Sequence, residues 1–209
     1  MKRVGHLMEK VAEPDNLREA YLRATRGKRD RRDVIEFSRG LEGRLQVMRG
    51  QLLDETVPLG GYRQFMVHDP KERVITVAPF TQRVLHHAIM GVCEPYFERR
   101  LIDHTYACRK GKGRLAALET ARRHCRKFPY FLKLDIRKYF DSVGHDCLIG
   151  QLHRVFKDAA LLRLLEGIVR SFETAPGCGL PIGNLTSQHF ANLYLGLLDR
   201  LLAEGRMRA

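Results

Sequence analysis

PYFLKLDIRKYFDSV, residues Pro129–Val143, is the stretch that decides the fold class. Its first half is apolar and aromatic, and it predicts a short buried strand that ends at Asp135. A basic pair, an aromatic pair and a second carboxylate, Asp141, come next. A carboxylate at the end of a buried strand, beside cations and flat rings, is one way in which a protein holds a metal ion against a nucleotide.

The composition is that of a chain that can build a packed core. The 209 residues are 44% hydrophobic and 29% charged, and no apolar run is long enough for a membrane span. The N-terminus lacks the apolar core of a secretory signal. The five cysteines are an odd number without a C-x-x-C pair, which argues against a zinc knuckle or a disulfide framework. We therefore expect a cytoplasmic protein without a membrane partner.

The charge balance points to a polyanionic partner. Lys and Arg number 37 against 24 Asp and Glu, a net charge of +13. A surplus of this size suggests nucleic acid, and a solvated basic surface is the alternative. Residues 23–32 hold six basic residues and one acid, as either a solvated joint between helices or a phosphate-facing patch.

The apolar spacing predicts helices around one hairpin. Strand formers on both sides of Asp-Pro-Lys-Glu favour a hairpin over 62–78, with Lys71 and Arg73 at or beside its tip. Residues 106–114 form a glycine-spaced basic loop that could line a phosphate site. Helical periodicity covers 7–24, 33–54, 79–97, 115–126, 146–156, 161–172 and a long final helix that Gly205 ends.

Two stretches read together carry a family resemblance. KLDIRKYFDSV resembles the first palm motif of reverse transcriptases, and GLPIGNLTSQHFANLYL (179–195) resembles the second. The hairpin, TQRVLHHAI, EPYFERR and TYACRKGKG resemble the fingers motifs of the bacterial enzymes, in the same order. I-G-N-L-T-S-Q is most similar to the diversity-generating retroelement type, because group II intron maturases usually have glutamine where Ile182 stands. Retrons and unclassified bacterial reverse transcriptases remain open.

The resemblance implies an α+β fold: right-hand polymerase fingers and a truncated palm, helix-rich with small antiparallel sheets. The regions would be 1–61, N-terminal and helical; 62–128, the fingers; and 129–209, a partial palm. The implied activity is RNA-directed DNA synthesis, in which a dNTP adds to a primer 3′-hydroxyl on an RNA template with Mg²⁺ as cofactor. RNA template, DNA primer and dNTP would be its partners, together with a small basic accessory protein.

The resemblance also assigns the site residues. Asp135 would be a catalytic and Mg²⁺-binding carboxylate, helped by the carbonyl of Ile136. Phe140 would be the ring that excludes a 2′-hydroxyl. The remaining residues would contact the dNTP or the template: Lys71, Arg73 and Arg109 by charge, Lys138 and Tyr139 by their main chain, and Ile182, Gly183 and Gln188 from the second motif.

Plainer alternatives stand beside three of these roles. Asp135 could cap a turn, Phe140 could pack in the core, and Ile182 could be an apolar loop residue without a role in fidelity.

One family feature is missing from the sequence. The third palm motif carries paired aspartates, and the 209 residues contain no adjacent Asp-Asp. We therefore expect this chain alone to be inactive. The alternative is a non-catalytic nucleic-acid-binding module, or a truncated remnant of a retron or group II intron-type reverse transcriptase.

Overall fold

The computed structural model describes residues 2–68 and 72–205. The tip of the predicted hairpin, with Lys71, lies outside the described residues. The described elements, in chain order, are α1 (Met8–Val11), α2 (Pro14–Thr25), α3 (Arg32–Ser38), α4 (Leu41–Leu53), β1 (Arg63–His68), β2 (Glu72–Val77), α5 (Phe80–Glu98), α6 (Arg114–Lys127), a 3₁₀ turn (Tyr139–Ser142), α7 (His145–Val155), α8 (Ala159–Arg170) and α9 (Leu185–Ala203).

Each of the first two predicted helices is divided in two. Pro14 stands at the first turn of α2, where its fixed φ suits a helix start but its missing N–H cannot continue α1. Gly40 precedes α4 with φ −129° and ψ 36°, outside the helical region, so α3 ends before it. Apolar residues recur at helical spacing on both sides of each break, which is why the sequence predicted single helices.

The hairpin is confirmed. Strands β1 and β2 pair antiparallel, with Arg63 opposite Val77 and Val67 opposite Arg73. The side chains of β1 are largely exposed. Thr76 in β2 and Ala78 just after β2 are buried.

Helix α5 is the centre of the core. It packs against α1, α2, α3 and α9. The side chains of Val84, Ala88, Ile89 and Cys93 are fully buried along its length. Its last turn meets α7 and α9 through Phe97, whose ring centroid lies 5.5 Å from that of Phe156 and 6.1 Å from that of Phe190. The helices that follow the two palm-like motifs are therefore fixed to α5.

The predicted buried strand before Asp135 was wrong. Residues 130–134 have no regular secondary structure and no strand partner among the described residues. Tyr130 is 89% exposed and Phe131 85% exposed. A strand forms by pairing its backbone with a neighbour, and β1 and β2 pair only with each other.

In the part of the chain that the structure describes, no helix has the length and apolar character of a membrane span. The predicted region boundaries near residues 61 and 128 stay predictions.

Candidate functional site

The hairpin is joined to the second motif by its backbone. We call residues 177–184 the second-motif loop. The N–H of Thr76 in β2 donates to the carbonyl of Ile182 at 2.8 Å. Gly183 has φ +124°, and a Cβ atom there would lie 2.9 Å from the carbonyl oxygen of Thr76. Glycine is therefore required both for the backbone conformation and for the close approach of the loop to β2.

The second-motif loop is also joined to the first motif. We call residues 138–145 the first-motif turn. The N–H of Leu180 donates to the carbonyl of Phe140 at 2.8 Å, and that of Gly179 donates to the carbonyl of Val143 at 2.9 Å. The N–H of His145 donates in return to the carbonyl of Gly177 at 2.8 Å. Hairpin, turn and loop thus form one hydrogen-bonded unit.

The first-motif turn is anchored on α9. It begins at Lys138, whose left-handed backbone has φ 49° and ψ 48°. The hydroxyl of Tyr139 donates to the carbonyl of Ala191 at 2.6 Å, and burial raises the pKa of this phenol. Phe140 is half-buried, with its ring edge-on to that of Tyr139 at 5.7 Å. The Phe140 ring therefore packs directly beside a ring that is anchored on α9.

Sequence reasoning missed the importance of His145. The side chain is fully buried, and its Nε2–H donates to the carbonyl of Gly179 at 2.8 Å. Its Nδ1 lies 3.9 Å from a carboxylate oxygen of Glu173. His145 thus holds the second-motif loop through both its backbone and its ring. No local pattern marks it, because its partners lie 28 to 34 residues away along the chain.

Buried polar side chains connect the first turn of α9, just after the second-motif loop, to α5. Thr186, in the first turn of α9, places its Oγ1 3.4 Å from Nδ1 of His86 on α5. Gln82, one turn before His86, donates from Nε2 to the carbonyl of Gly60 at 2.6 Å. Burial lowers the pKa of His86 to about 4, so the ring is neutral at neutral pH. The start of α9, which directly follows the second-motif loop, therefore contacts an uncharged histidine.

Asp135 and Ile136 come just before the first-motif turn in the chain. Both residues are exposed, and no described residue forms a hydrogen bond or ion pair with the Asp135 carboxylate. No group of three or more His, Cys, Asp or Glu side chains capable of metal binding occurs among the described residues. Mg²⁺ is commonly held by one or two carboxylates together with substrate phosphates and water. Asp135 fits one of these positions and does not make a complete two-metal site.

The cations predicted to contact phosphate differ in whether their side chains already have hydrogen-bond partners. Arg73 is exposed on β2 and has no carboxylate partner among the described residues. Arg109 is held at the end of α5: its Nε donates to Glu98 at 2.7 Å, and its Nη1 donates to the carbonyls of Ile102 and Thr105. A phosphate would have to compete with these three acceptors. Gln188 is exposed in the first turn of α9.

The sequence is similar to intron proteins and to an intron maturase. It is 26% identical over 144 residues to the group II intron-encoded protein LtrA of Lactococcus lactis subsp. cremoris, covering 66% of this chain and 24% of the relative. It is 25% identical over 154 residues to the putative COX1/OXI3 intron 1 protein of Saccharomyces cerevisiae, covering 70% of this chain and 17% of the relative. It is 29% identical over 91 residues to nuclear intron maturase 1, mitochondrial, of Arabidopsis thaliana, covering 44% and 13%. The chain thus spans less than a quarter of the length of these relatives. No protein-family model matches it.

The fold is similar to that of a chain in a solved assembly, the partial Cas6-RT-Cas1--Cas2 complex. The TM-score is 0.61 at 22% identity, and the match covers 95% of this chain and 34% of that one. This likeness confirms the predicted α+β fold class, a helix-rich fingers and palm region with a small antiparallel sheet. The chain is thus similar in sequence to group II intron-encoded proteins and intron maturases, and similar in fold to one chain of the Cas6-RT-Cas1--Cas2 complex.

Proposed function

We propose that the chain forms the fingers and part of the palm of an RNA-directed DNA polymerase. The dNTP and the template–primer would lie where β2, the first-motif turn and the second-motif loop meet. The supporting observation is the hydrogen-bonded unit itself. Segments far apart in sequence, which resemble separate polymerase motifs, are linked by the Thr76–Ile182 and Leu180–Phe140 bonds.

Each predicted residue has a role in this proposal. Asp135 and the Ile136 carbonyl contribute ligands to Mg²⁺, which would neutralise charge on the nucleotide phosphates. The main chain of Lys138 and Tyr139 faces the triphosphate, and the Phe140 ring lies under the sugar. Arg73, Arg109 and Lys71 add positive charge, and Ile182, Gly183 and Gln188 border the base pair and the template.

The subtype is a further part of the proposal. The sequence I-G-N-L-T-S-Q supports the diversity-generating type, in which an apolar Ile182 takes the place of an amide near the base. A small basic accessory protein would then be a partner. The cysteine pattern, with five free thiols, supports a reducing, cytoplasmic setting.

A second candidate is a nucleic-acid-binding module without catalysis. It is favoured by the single candidate metal-binding carboxylate, Asp135, and by the absence of adjacent aspartates from the 209 residues. Primer extension separates the two candidates.

The experiment measures DNA synthesis on an RNA template. The 209-residue chain alone is expected to bind a template–primer without extending it. A longer polypeptide that joins this chain to a segment with paired aspartates is expected to extend the primer. Asp135→Asn should lower its rate at least about a hundredfold, because a metal ligand that acts in the transition state is lost.

Asp141→Asn is the matched control, because Asp141 lies six residues further along the chain and no described residue forms a hydrogen bond or ion pair with its carboxylate, whereas its main-chain carbonyl accepts from Thr174. It should retain most activity. Equal losses from both variants, or full activity of Asp135→Asn, would contradict the assignment. Failure of the longer polypeptide to extend any primer would favour the non-catalytic module.

A further inference from the structure

Four arginines line a single cavity of about 420 Å³ away from the Asp135 surface. Arg99 and Arg100 follow the end of α5, Arg154 lies in the last turn of α7, and Arg200 lies in the second half of α9. We call this cavity the arginine pocket. None of its lining residues belongs to the hairpin, the first-motif turn or the second-motif loop.

The backbone holds two of these guanidinium groups in place. Arg100 donates from Nη2 to the carbonyl of Arg154 at 2.6 Å, and Arg200 donates from Nη1 to the carbonyl of Arg100 at 2.5 Å. The guanidinium carbon of Arg99 lies 5.7 Å from the ring centroid of Tyr96. A guanidinium group has five N–H donors, so most donors in the pocket remain unused.

The pocket contains positive charge without a counter-charge. No acidic residue lines it, and none of its arginines forms an ion pair within the described residues. Elsewhere in the described chain, Arg83, Arg109 and Arg163 each pair with a carboxylate. The Nε–H of Arg100 is also buried without an acceptor. Buried N–H groups in proteins nearly always have an acceptor, so the pocket has both the charge and the free donors for an anion.

We propose that the arginine pocket binds phosphate groups of a nucleic-acid strand, at a second contact site. The planar fork of arginine matches the oxygens of a phosphate and donates two parallel hydrogen bonds. The rest of the lining is largely aliphatic, with Leu101, Val155 and Leu193 among its residues. No aromatic side chain lines the pocket, so it offers no surface for base stacking. Recognition would therefore be of the backbone and independent of sequence.

The test compares two pairs of substitutions with the same loss of charge. The pocket pair is Arg99→Gln with Arg154→Gln, because both side chains are exposed and neither donates a hydrogen bond that holds the fold. The control pair is Arg39→Gln with Arg122→Gln, two exposed arginines outside the pocket. Binding of fluorescein-labelled oligouridine and oligothymidine is followed by fluorescence anisotropy over a series of salt concentrations. Circular dichroism confirms that each variant is folded, and Arg154→Gln alone is used if the pocket pair is not.

Each phosphate contact with a single strand contributes about 0.7 to the slope of log affinity against log salt. Loss of two contacts should therefore lower the slope by about 1.4 and the affinity about 25-fold at about 0.1 M salt. The control pair should change affinity by less than about twofold. Arg99→Lys with Arg154→Lys should restore the slope and part of the affinity, because lysine keeps the charge and loses the fork.

Weaker binding of the pocket pair to oligouridine, to oligothymidine or to both supports the proposal and identifies which nucleic acid the pocket contacts. Equal losses from the pocket and control pairs would overturn it, because general surface charge would then explain the binding. A pocket pair that binds both strands normally but no longer binds a polyglutamate peptide would overturn it in favour of an acidic protein partner. The substitutions leave Asp135 and its surroundings unchanged, so failure here does not bear on the proposed polymerase function.

Discussion

At the scale of the residue, Gly183 allows the close approach on which the geometry of the candidate site depends. Its φ of +124°, and the 2.9 Å that would separate a Cβ atom from the Thr76 carbonyl oxygen, leave no room for a side chain. The Thr76–Ile182 hydrogen bond depends on this close approach. The family resemblance named Gly183 for contact with the template, and the structure adds a reason that is internal to the fold.

Gly183→Ala is expected to lower the free energy of unfolding by about 1–3 kcal/mol, because alanine is strained at this φ and collides with β2. Urea titration measures the effect. Gly43→Ala is the control, since Gly43 lies inside α4 and a Cβ atom there would have no neighbouring atom within 4 Å. That control should gain about 0.5–1 kcal/mol. A Gly183→Ala protein as stable as the wild type would show that the loop does not pack on β2.

His86 predicts how stability depends on pH. Burial lowers its pKa to about 4 from 6.5, so between these values the unfolded state binds more protons than the folded state. The free energy of unfolding should therefore fall as the pH is lowered through this range. His86→Gln should remove up to about 3 kcal/mol of this dependence, as urea titrations between the two pH values would measure. His87 and His189, whose pKa values burial also lowers, should leave a residual slope. A slope that His86→Gln does not change would contradict the burial of this ring.

At the scale of the element, the segment before Asp135 has the composition of a strand without a strand to pair with among the described residues. Its apolar side chains face outward. Composition can predict that a segment favours extended backbone. Pairing depends on a second segment that lies alongside, which a local pattern does not contain.

Leu134→Lys should therefore change the free energy of unfolding by less than about 0.5 kcal/mol, because Leu134 is 63% exposed. Leu152→Ala should cost about 2–5 kcal/mol, because Leu152 in α7 is fully buried. Urea titration of both variants measures the contrast. A large loss from Leu134→Lys would mean that the segment is packed against a partner in solution.

Helices and the hairpin were largely predictable from the sequence, and the exceptions have local causes. Helices α5, α7 and α8 begin and end within about two residues of the predicted ranges, and α9 ends two residues before Gly205. The breaks at Pro14 and Gly40 were missed because the apolar spacing continues across them. A proline or glycine inside such a pattern decides where a helix ends more strongly than the apolar residues around it.

At the scale of the whole molecule, the sequence named several site residues but not the contacts between them. Asp135, Phe140 and Ile182 came from the motif resemblance. The bonds of Phe140 to Leu180 and of Ile182 to Thr76 join distant segments, so only the structure reveals them. The same is true of His145 and of the arginine pocket, whose members are far apart along the chain. Arg109 shows the converse case: its position in a basic loop predicted a free cation, whereas Glu98 and two carbonyls occupy its donors.

Photocross-linking of an RNA–DNA hybrid tests the central claim most directly. The hybrid carries iododeoxyuridine at the primer 3′ end, and the attached peptides are identified by mass spectrometry after irradiation. We predict attachment within β2, the first-motif turn or the second-motif loop, and its suppression by an excess of unlabelled hybrid. Attachment confined to other parts of the chain, the arginine pocket included, or no specific attachment at all would contradict the account.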